Sequence, residues 1–195
     1  MFLLKEPSAD QVRRFLASQH DLPFSYPEVG ASQHQSPSGY NIDHNRIRLG
    51  EGEETFSRAM QAIQRWKMFD VGWIRLLWPD APMKIGAMVA VLVRHYGFWS
   101  LNACRIVYLI DEDGPARWYG FAYGTLPDHG ERGEERFSVE WHHGDDSVWY
   151  DLFAFSRPAH LLSRVGYPLT RALQKRFARD SKQAMHNAVN GQSKS

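Results

Sequence analysis

Cysteine is almost absent from this sequence, and neither sign of charge is in excess. Cys104 is the only cysteine among 195 residues, so no intrachain disulfide can form and no zinc site can be built from cysteines. Lysine and arginine total 23 and aspartate and glutamate total 22, which leaves a formal net charge of +1. A chain so nearly neutral offers no broad basic surface for nucleic acid. We therefore expect a protein of a reducing compartment that does not bind nucleic acid.

Long apolar runs and ready-made catalytic motifs are also missing. The longest apolar run, "IGAMVAVLV", ends before Arg94 and is shorter than the roughly 20 residues that span a bilayer. The start, "MFLLKEPSAD", is too short in apolar residues for the core of a signal peptide. The stretch "GEGEE" lacks the lysine and hydroxyl of a phosphate-binding loop, and the sequence contains no nucleophile elbow. These absences predict a soluble cytoplasmic protein and imply no cofactor.

Two amphipathic helices are predicted in the first third of the chain. Ser8 and Gln11 have the spacing of a capping box, and the apolar residues after them recur at helical spacing, which predicts a helix over residues 8–19. A second helix is predicted over residues 53–67, with two glutamates at its positive end. Its apolar stripe consists of Phe56, Met60, Ile63 and Trp66.

The middle of the chain changes from loop to strand patterns. Residues 21–48 are rich in proline, glycine, serine and asparagine, which predicts a long and mostly irregular connection. From Gly72 to Ser156 the chain is instead rich in β-branched and aromatic residues. The runs are "GWIRLLW", "AMVAVLVRHY", "LNACRIVYLI", "RWYGFAYGT", "ERFSVEWH" and "VWYDLFAFS". Because the turns between these six runs are short, we expect an antiparallel meander, with one further short strand at "FLL" near the N-terminus.

The last part of the chain predicts one long helix over residues 158–188. Ser156 suits the cap of such a helix, and Pro158 suits its first turn. Gly166 and Pro168 should kink it. Its apolar stripe consists of Leu162, Val165, Leu169, Leu173 and Phe177.

This order of elements resembles the helix-grip fold of START and Bet v 1 proteins. The resemblance implies an α+β protein with two N-terminal helices. It also implies a curved antiparallel sheet of about six strands around the long C-terminal helix, with an apolar cavity between sheet and helix. We assign residues 1–189 to one helix-grip domain and residues 190–195 to a disordered tail.

Several segments also resemble one family at the level of sequence. "FSYPEVGAS", "LGEGEETFSRAMQAIQRWKMFDVGW", "YGTLPDHGERGEERF" and "AFSRP" followed by "RALQKRF" are similar to the characteristic segments of the bacterial and plant family called domain of unknown function nineteen-ninety. The similarity runs in order over about residues 2–188. It implies no particular substrate and no catalytic residues, so the function must be argued from the residues themselves.

The strand "RWYGFAYGT" has one bulky face and one small face. Strand alternation puts Tyr119, Phe121, Tyr123 and Thr125 on the first, and Gly120, Ala122 and Gly124 on the second. The glycines either permit curvature and close packing or leave room for a ligand. The sequence leaves both readings open.

The stretch "GERGEERF" brings a carboxylate onto an apolar strand face. Glu135 alternates with Phe137, Val139 and Trp141, and a carboxylate on that face needs a partner or a raised pKa. Arg105, in the middle of "ACRIVYLI", is the partner we predict, either as a structural ion pair or as a pair that holds the polar head of a ligand. Replacement of Glu135 by glutamine should then cost some stability. The preceding "PDHGERG" is predicted to be mostly a solvated turn.

Histidines and basic residues give weaker signals. His142 and His143 are adjacent and diverge on a strand, and His129 lies in another loop, so we predict no metal site. On the last helix, basic residues recur at spacings of seven, four and seven, which is typical of a solvated face. If that stripe is functional, its partner is an anionic membrane surface contacted weakly. The stripe consists of Arg164, Arg171, Lys175 and Lys182.

The function predicted from these patterns is the binding of a small hydrophobic or lipid-like molecule without chemistry. Two alternatives stay open. One is a cyclase or hydratase type of enzyme on the same fold, using Glu135, Arg105 and Tyr123. The other is a partner-binding module that uses residues 21–48. The ligand-binding residues we predict are Arg105, Tyr123, Glu135, Gly120, Gly124 and Phe137.

Overall fold

A curled antiparallel sheet and three helices make up the computed structural model, which describes residues 1–34, 37–78, 82–95, 97–159 and 167–191. The helices are α1 (Ala9–Gln19), α2 (Gly52–Gln64) and α3 (Tyr167–Asn190). The strands are β1 (Phe2–Leu3), β2 (Asn41–Glu51), β3 (Ile74–Leu77), β4 (Met88–Arg94), β5 (Trp99–Glu112), β6 (Ala116–Thr125), β7 (Glu131–His142) and β8 (Ser147–Pro158).

The strand order is β2-β8-β7-β6-β5-β4-β3, and β1 pairs with β5 beside that path. Strands β3 to β8 are the six predicted runs, and they pair in chain order, so the predicted antiparallel meander is confirmed. The short strand predicted at "FLL" is β1. The helix-grip fold class is also confirmed, with two strands more than the predicted six.

The first strand of the sheet path, β2, was not predicted. The sequence pattern assigned residues 21–48 to an irregular connection, whereas Asn41–Glu51 pairs with β8. Asn41, Asp43 and Asn45 occupy its inward positions, opposite Ser156, Ala154 and Leu152 of β8. Because these three positions are polar, the first half of β2 lacks the apolar alternation by which a strand is recognised, which begins only at Ile47 and Leu49.

The inner face of the curled sheet holds α2 and α3, and the main core lies between them. Ile63 of α2 and Met185 of α3 are both fully buried there. The outer face of β4 and β5 carries α1, whose Val12 shares a smaller core with Leu101. The predicted capping box of α1 is present, with Ser8 and Gln11 each accepting the other's backbone N–H.

The C-terminal helix begins later than predicted. Ser156 and Pro158 belong to β8, so they are not the cap and first turn of a helix, and α3 begins at Tyr167. The strand continues because Gly133 and Glu131 of β7 pair with these two residues. The predicted kink at Gly166, and Leu162, Val165 and Arg164 with it, lie outside the described residues, as does the end of the predicted tail from 192. None of the described helices is both long and apolar enough to cross a membrane.

A candidate ligand cavity under the C-terminal helix

A cavity of about 580 Å³ lies between the inner face of the sheet and the first half of α3. Its volume is in the range of ligand pockets in proteins. The roof includes Leu169, Leu173 and Phe177, which are the described members of the predicted apolar stripe. Its apolar walls include Phe69, Trp73, Ile74, Val91, Val93 and Leu152. The second half of α3, in contrast, packs into the core through Met185 and Val189.

One wall of the cavity carries a phenol and a carboxylic acid that are hydrogen-bonded to each other. Tyr123 of β6 and Glu135 of β7 are directly opposite in the antiparallel pairing, so both side chains point to the inner face. The Tyr123 hydroxyl donates to Glu135 Oε2 at 2.8 Å. These two of the predicted ligand-binding residues are therefore in direct contact.

The Glu135 carboxyl is partly buried at the cavity wall. Burial raises its pKa to about 7, the hydrogen bond from Tyr123 lowers it in part, and the charge of Asp43 raises it again. No Lys or Arg side chain among the described residues forms an ion pair with it. Burial and the neighbouring Glu135 also raise the pKa of Tyr123 well above its usual value, so the phenol stays protonated. The pair can therefore donate or accept a proton near neutral pH.

Two further titratable groups line the same end of the cavity, and both fall in the stretch predicted to be a solvated turn. That prediction is wrong for His129 and Glu131, because β7 begins at Glu131 and turns its side chain inward. Burial raises the pKa of Glu131 to about 7, opposed by a hydrogen bond from Ser156 and by the charge of Arg171. Burial and the N-terminal ammonium lower the pKa of His129 to about 4, so its ring is neutral at pH 7. Glu131 and Glu135 are an even number of positions apart and therefore share one face of a strand. This spacing was the sequence feature that could have identified Glu131 as inward-facing.

A salt bridge ties α3 to the edge strand at the cavity wall. Arg171 donates to both carboxylate oxygens of Asp43, at 2.5 and 2.7 Å, and to Gln174 Oε1 at 2.7 Å. Gln174 in turn donates to the Ser156 hydroxyl at 3.0 Å. Asp43 of β2 therefore helps to hold the helix over the cavity.

Arg105 does not approach Glu135, so the predicted pair is wrong. Its register partner on β6 is Gly124, which places its side chain on the outer face of the sheet. There the guanidinium donates to the carbonyl oxygens of Leu22 at 3.0 Å and of Gln19 at 3.1 Å, and also to that of His20. Arg105 caps the end of α1 and takes no part in the cavity.

The two glycines predicted to bind a ligand also face outward. A Cβ at Gly120 would overlap the carbonyl oxygen of Phe137 on β7, and a Cβ at Gly124 would overlap the buried hydroxyl of Tyr26. Both glycines therefore fit the first of the two alternatives, in which they permit curvature and close packing of the sheet. Phe137 faces inward as expected, but it is fully buried beneath the cavity, where its ring packs 5.4 Å from that of Phe69.

In the described part of the chain, no three His, Cys, Asp or Glu side chains lie close enough together to hold a metal ion. Cys104 is fully buried, and burial raises the pKa of its thiol. The basic stripe of α3 is divided: Arg171 binds Asp43 and Lys182 approaches Asn45 at 3.4 Å, both toward the sheet. Lys175 remains on the exposed side.

Comparison with known sequences identifies the family. Residues 25–184 match the model of the family described as Domain of unknown function (DUF1990). The chain belongs to this family. It is 42% identical over 191 residues to a UPF0548 protein of Deinococcus radiodurans, covering 92% of this chain and 94% of the relative. A UPF0548 protein of Dictyostelium discoideum is 35% identical over 208 residues, covering 97% and 96%. Among solved structures, human STARD10 is similar with a TM-score of 0.47 and 11% identity, over 95% of this chain and 80% of that one.

Two of the segments by which the family was predicted meet at Glu134, on the outer face behind the cavity. Glu134 is 2% exposed. It accepts from the Tyr26 hydroxyl at 2.7 Å, the Gly30 amide at 2.8 Å and the Ser32 amide at 3.0 Å. The loop "FSYPEVGAS" is therefore fastened to β7 by one buried carboxylate. This role of Glu134 was not predicted, because the alternation with Phe137, Val139 and Trp141 pointed to the neighbouring Glu135.

Proposed function

We propose that this family member binds a small, mostly apolar molecule with one polar group in the cavity under α3. The observation that carries the proposal is a cavity of about 580 Å³ with mostly apolar walls, lined on one side by the hydrogen-bonded Tyr123–Glu135 pair. Apolar walls with a few convergent polar groups are the usual composition of a ligand site. The proposed binding residues are Tyr123 and Glu135, joined by Glu131 and His129, while Arg105, Gly120, Gly124 and Phe137 support the fold around them.

The energetics of Glu135 support binding over a purely structural role. A carboxylate kept from water without a cationic partner destabilises the folded state. Its outer-face neighbour Glu134 holds a loop in place through several hydrogen bonds, whereas Glu135 has only Tyr123 among the described residues. Such exceptions to good packing occur mostly at functional sites.

The test combines native mass spectrometry of the purified protein with binding of Nile red. We expect a co-purifying small molecule and saturable dye fluorescence that an excess of the molecule abolishes. Leu173→Trp should fill the cavity and weaken dye binding about tenfold, while Ala172→Trp, on the exposed side of the same helix turn, should leave it unchanged. Absence of both dye binding and any co-purifying compound would contradict the proposal.

A second candidate function is proton-transfer catalysis in the same cavity. Two carboxylic acids with a pKa of about 7, Glu131 and Glu135, lie where a bound molecule would lie, and a pKa near the working pH suits a general acid or base. A co-purified compound incubated with the protein in heavy water should then exchange carbon-bound hydrogen, and Glu135→Gln should abolish the exchange. If the compound gains no deuterium, simple binding is the remaining function.

We further propose weak contact with an anionic membrane surface through the outer side of α3. Lys175, Arg176 and Arg179 are exposed there. Arg176 and Arg179 both contact Asp180, which reduces their effective charge. A contact of this size supports transient association only.

A further inference from the structure

Within the described part of the chain, the charged groups that line the cavity are acidic. Among the described lining residues, the carboxylates are Asp43, Glu131, Glu134 and Glu135, and the lining contains no lysine or arginine. Glu134 directs its carboxylate to the outer-face loop, and Asp43 is bound by Arg171. Glu131 and Glu135 therefore provide the negative charge that a ligand in the cavity meets.

The hydrogen-bonding groups at this end of the cavity are mainly acceptors. Glu135 receives one hydrogen bond, from Tyr123. The ring of His129 is neutral and its Nδ1 accepts the Glu131 amide at 3.0 Å, so its Nε2 carries the ring hydrogen and is a donor. Arg171, the cation at the edge of the site, is held by both oxygens of Asp43. An anionic head group would have to displace Asp43, whereas a cationic one finds carboxylates directly in the wall.

Aromatic rings surround the same position. The ring centroid of Phe69 lies 6.2 Å from that of Tyr123 and 5.4 Å from that of Phe177, and all three residues line the cavity. Their π faces attract a cation that has lost its water. They also cover the apolar body of a bound molecule.

We propose that the ligand of this cavity is an amphiphilic amine, whose ammonium group binds the Glu135 carboxylate beside Tyr123 while its apolar body lies under Leu173 and Phe177. This inference rests on the proposed binding function and specifies its ligand class.

Binding of an amine to this site must be linked to a proton. The protonated Glu135 loses its proton when an ammonium ion binds, so amine affinity rises with pH through the range where the free carboxyl titrates, near its pKa of about 7. The groups facing it are Tyr123 from β6, Cys104 from β5, Tyr150 from β8, Asp43 from β2, and Glu131 with Arg171 at the cavity end. Tyr123, Cys104 and Tyr150 have raised pKa values and stay neutral, and Asp43 is paired, so Glu131 is the other group that contributes to the same pH range.

The test compares three probes that differ only in head group: octylamine, octanol and octanoate. Isothermal titration calorimetry at about pH 8 should give octylamine an affinity about tenfold or more above that of octanol, and octanoate the weakest. Equal affinities for octylamine and octanol, tightest binding of octanoate, or no binding of any probe would each overturn the inference. Nile red binding decides the proposed function separately, because this dye carries no charged head.

Glu135→Gln should reduce octylamine affinity about tenfold and leave octanol affinity within about twofold. Glu54→Gln, a carboxylate on the exposed side of α2, is the matched control and should change neither. Should Glu135→Gln fold poorly, the unmodified protein still tests the inference. Its octylamine affinity should rise between about pH 6 and about pH 8, while that for octanol stays constant. A flat octylamine profile would overturn the inference.

Discussion

At the scale of single residues, two adjacent glutamates have opposite effects on the fold. Glu134 faces outward, is 2% exposed, and is surrounded by N–H and O–H donors. Glu135 faces inward toward the cavity and has Tyr123 as its partner. The first carboxylate stabilises the protein as an anion, because its donors compensate for lost water. The second destabilises the protein as an anion, because burial is not compensated by a cation.

The pH dependence of stability should reveal the second effect. The folded pKa of Glu135 is about 7 against an ordinary value of 4.5. Between these values the folded state keeps a proton that the unfolded state has released, so the stability of the natural protein falls as pH rises. Glu135→Gln should therefore be more stable than the natural protein above about pH 7, by roughly 1–3 kcal/mol, and equal to it below about pH 4.5. If Arg105 were the partner of Glu135, Glu135→Gln would instead lower the stability of the protein. Urea unfolding at a series of pH values measures the difference in stability between Glu135→Gln and the natural protein. The titration of Glu131 and His129 contributes to both proteins and therefore cancels in this difference.

Glu134→Gln provides the opposing prediction. Its NH2 group would replace one carboxylate oxygen and so present a donor to either the Gly30 or the Ser32 amide, and we expect a loss of about 1–3 kcal/mol in the free energy of unfolding. The same urea experiment at neutral pH compares it with Glu135→Gln. Similar losses in both variants would contradict the assignment of the two carboxylates to different roles.

At the scale of elements, the helices and strands with apolar buried faces were predicted from the sequence, whereas the strand β2, with polar residues toward the cavity, was not. The six strands of the meander and the capped helix α1 were predicted because their buried faces are apolar at a clear period. The polar inward positions of β2, Asn41, Asp43 and Asn45, hid that strand. Arg105 was assigned to the wrong face, although its alternation with the inward Cys104 and Ile106 was visible in the sequence and already places it outward.

The helix α3 should be energetically divided along its length. Met185 is fully buried in the core, so Met185→Ala should cost about 2–5 kcal/mol. Leu173 lines the cavity, so Leu173→Ala removes fewer contacts, and we expect a loss of about 1 kcal/mol or less, well below the cost expected of a core leucine. Chemical denaturation of both variants, without ligand, measures the contrast. A large loss for Leu173→Ala would mean that this half of the helix is core.

At the scale of the whole molecule, charge is separated between the two sides of α3. The inner side meets acidic groups, with Arg171 bound to Asp43, while the outer side exposes Lys175 and Arg179. The net charge of +1 is therefore unevenly placed. A membrane contact on the outer side would leave the cavity on the opposite side of the helix free to hold its ligand.

This arrangement predicts weak, salt-sensitive association with anionic vesicles. The double variant Lys175→Gln with Arg179→Gln should lower the affinity for phosphatidylserine-containing vesicles about tenfold at low salt, because each basic residue near such a surface contributes about 1 kcal/mol and Asp180 offsets part of it. The control is Arg13→Gln with Arg14→Gln, which removes the same charge from exposed positions of α1, on the opposite face of the sheet from α3. Vesicle co-sedimentation measures both. At 0.1 M salt a charge acts over only about 10 Å, so only basic residues close to the membrane should matter and the two double variants should differ. Equal losses in both would show that the net charge of the protein, rather than the outer side of α3, governs the contact.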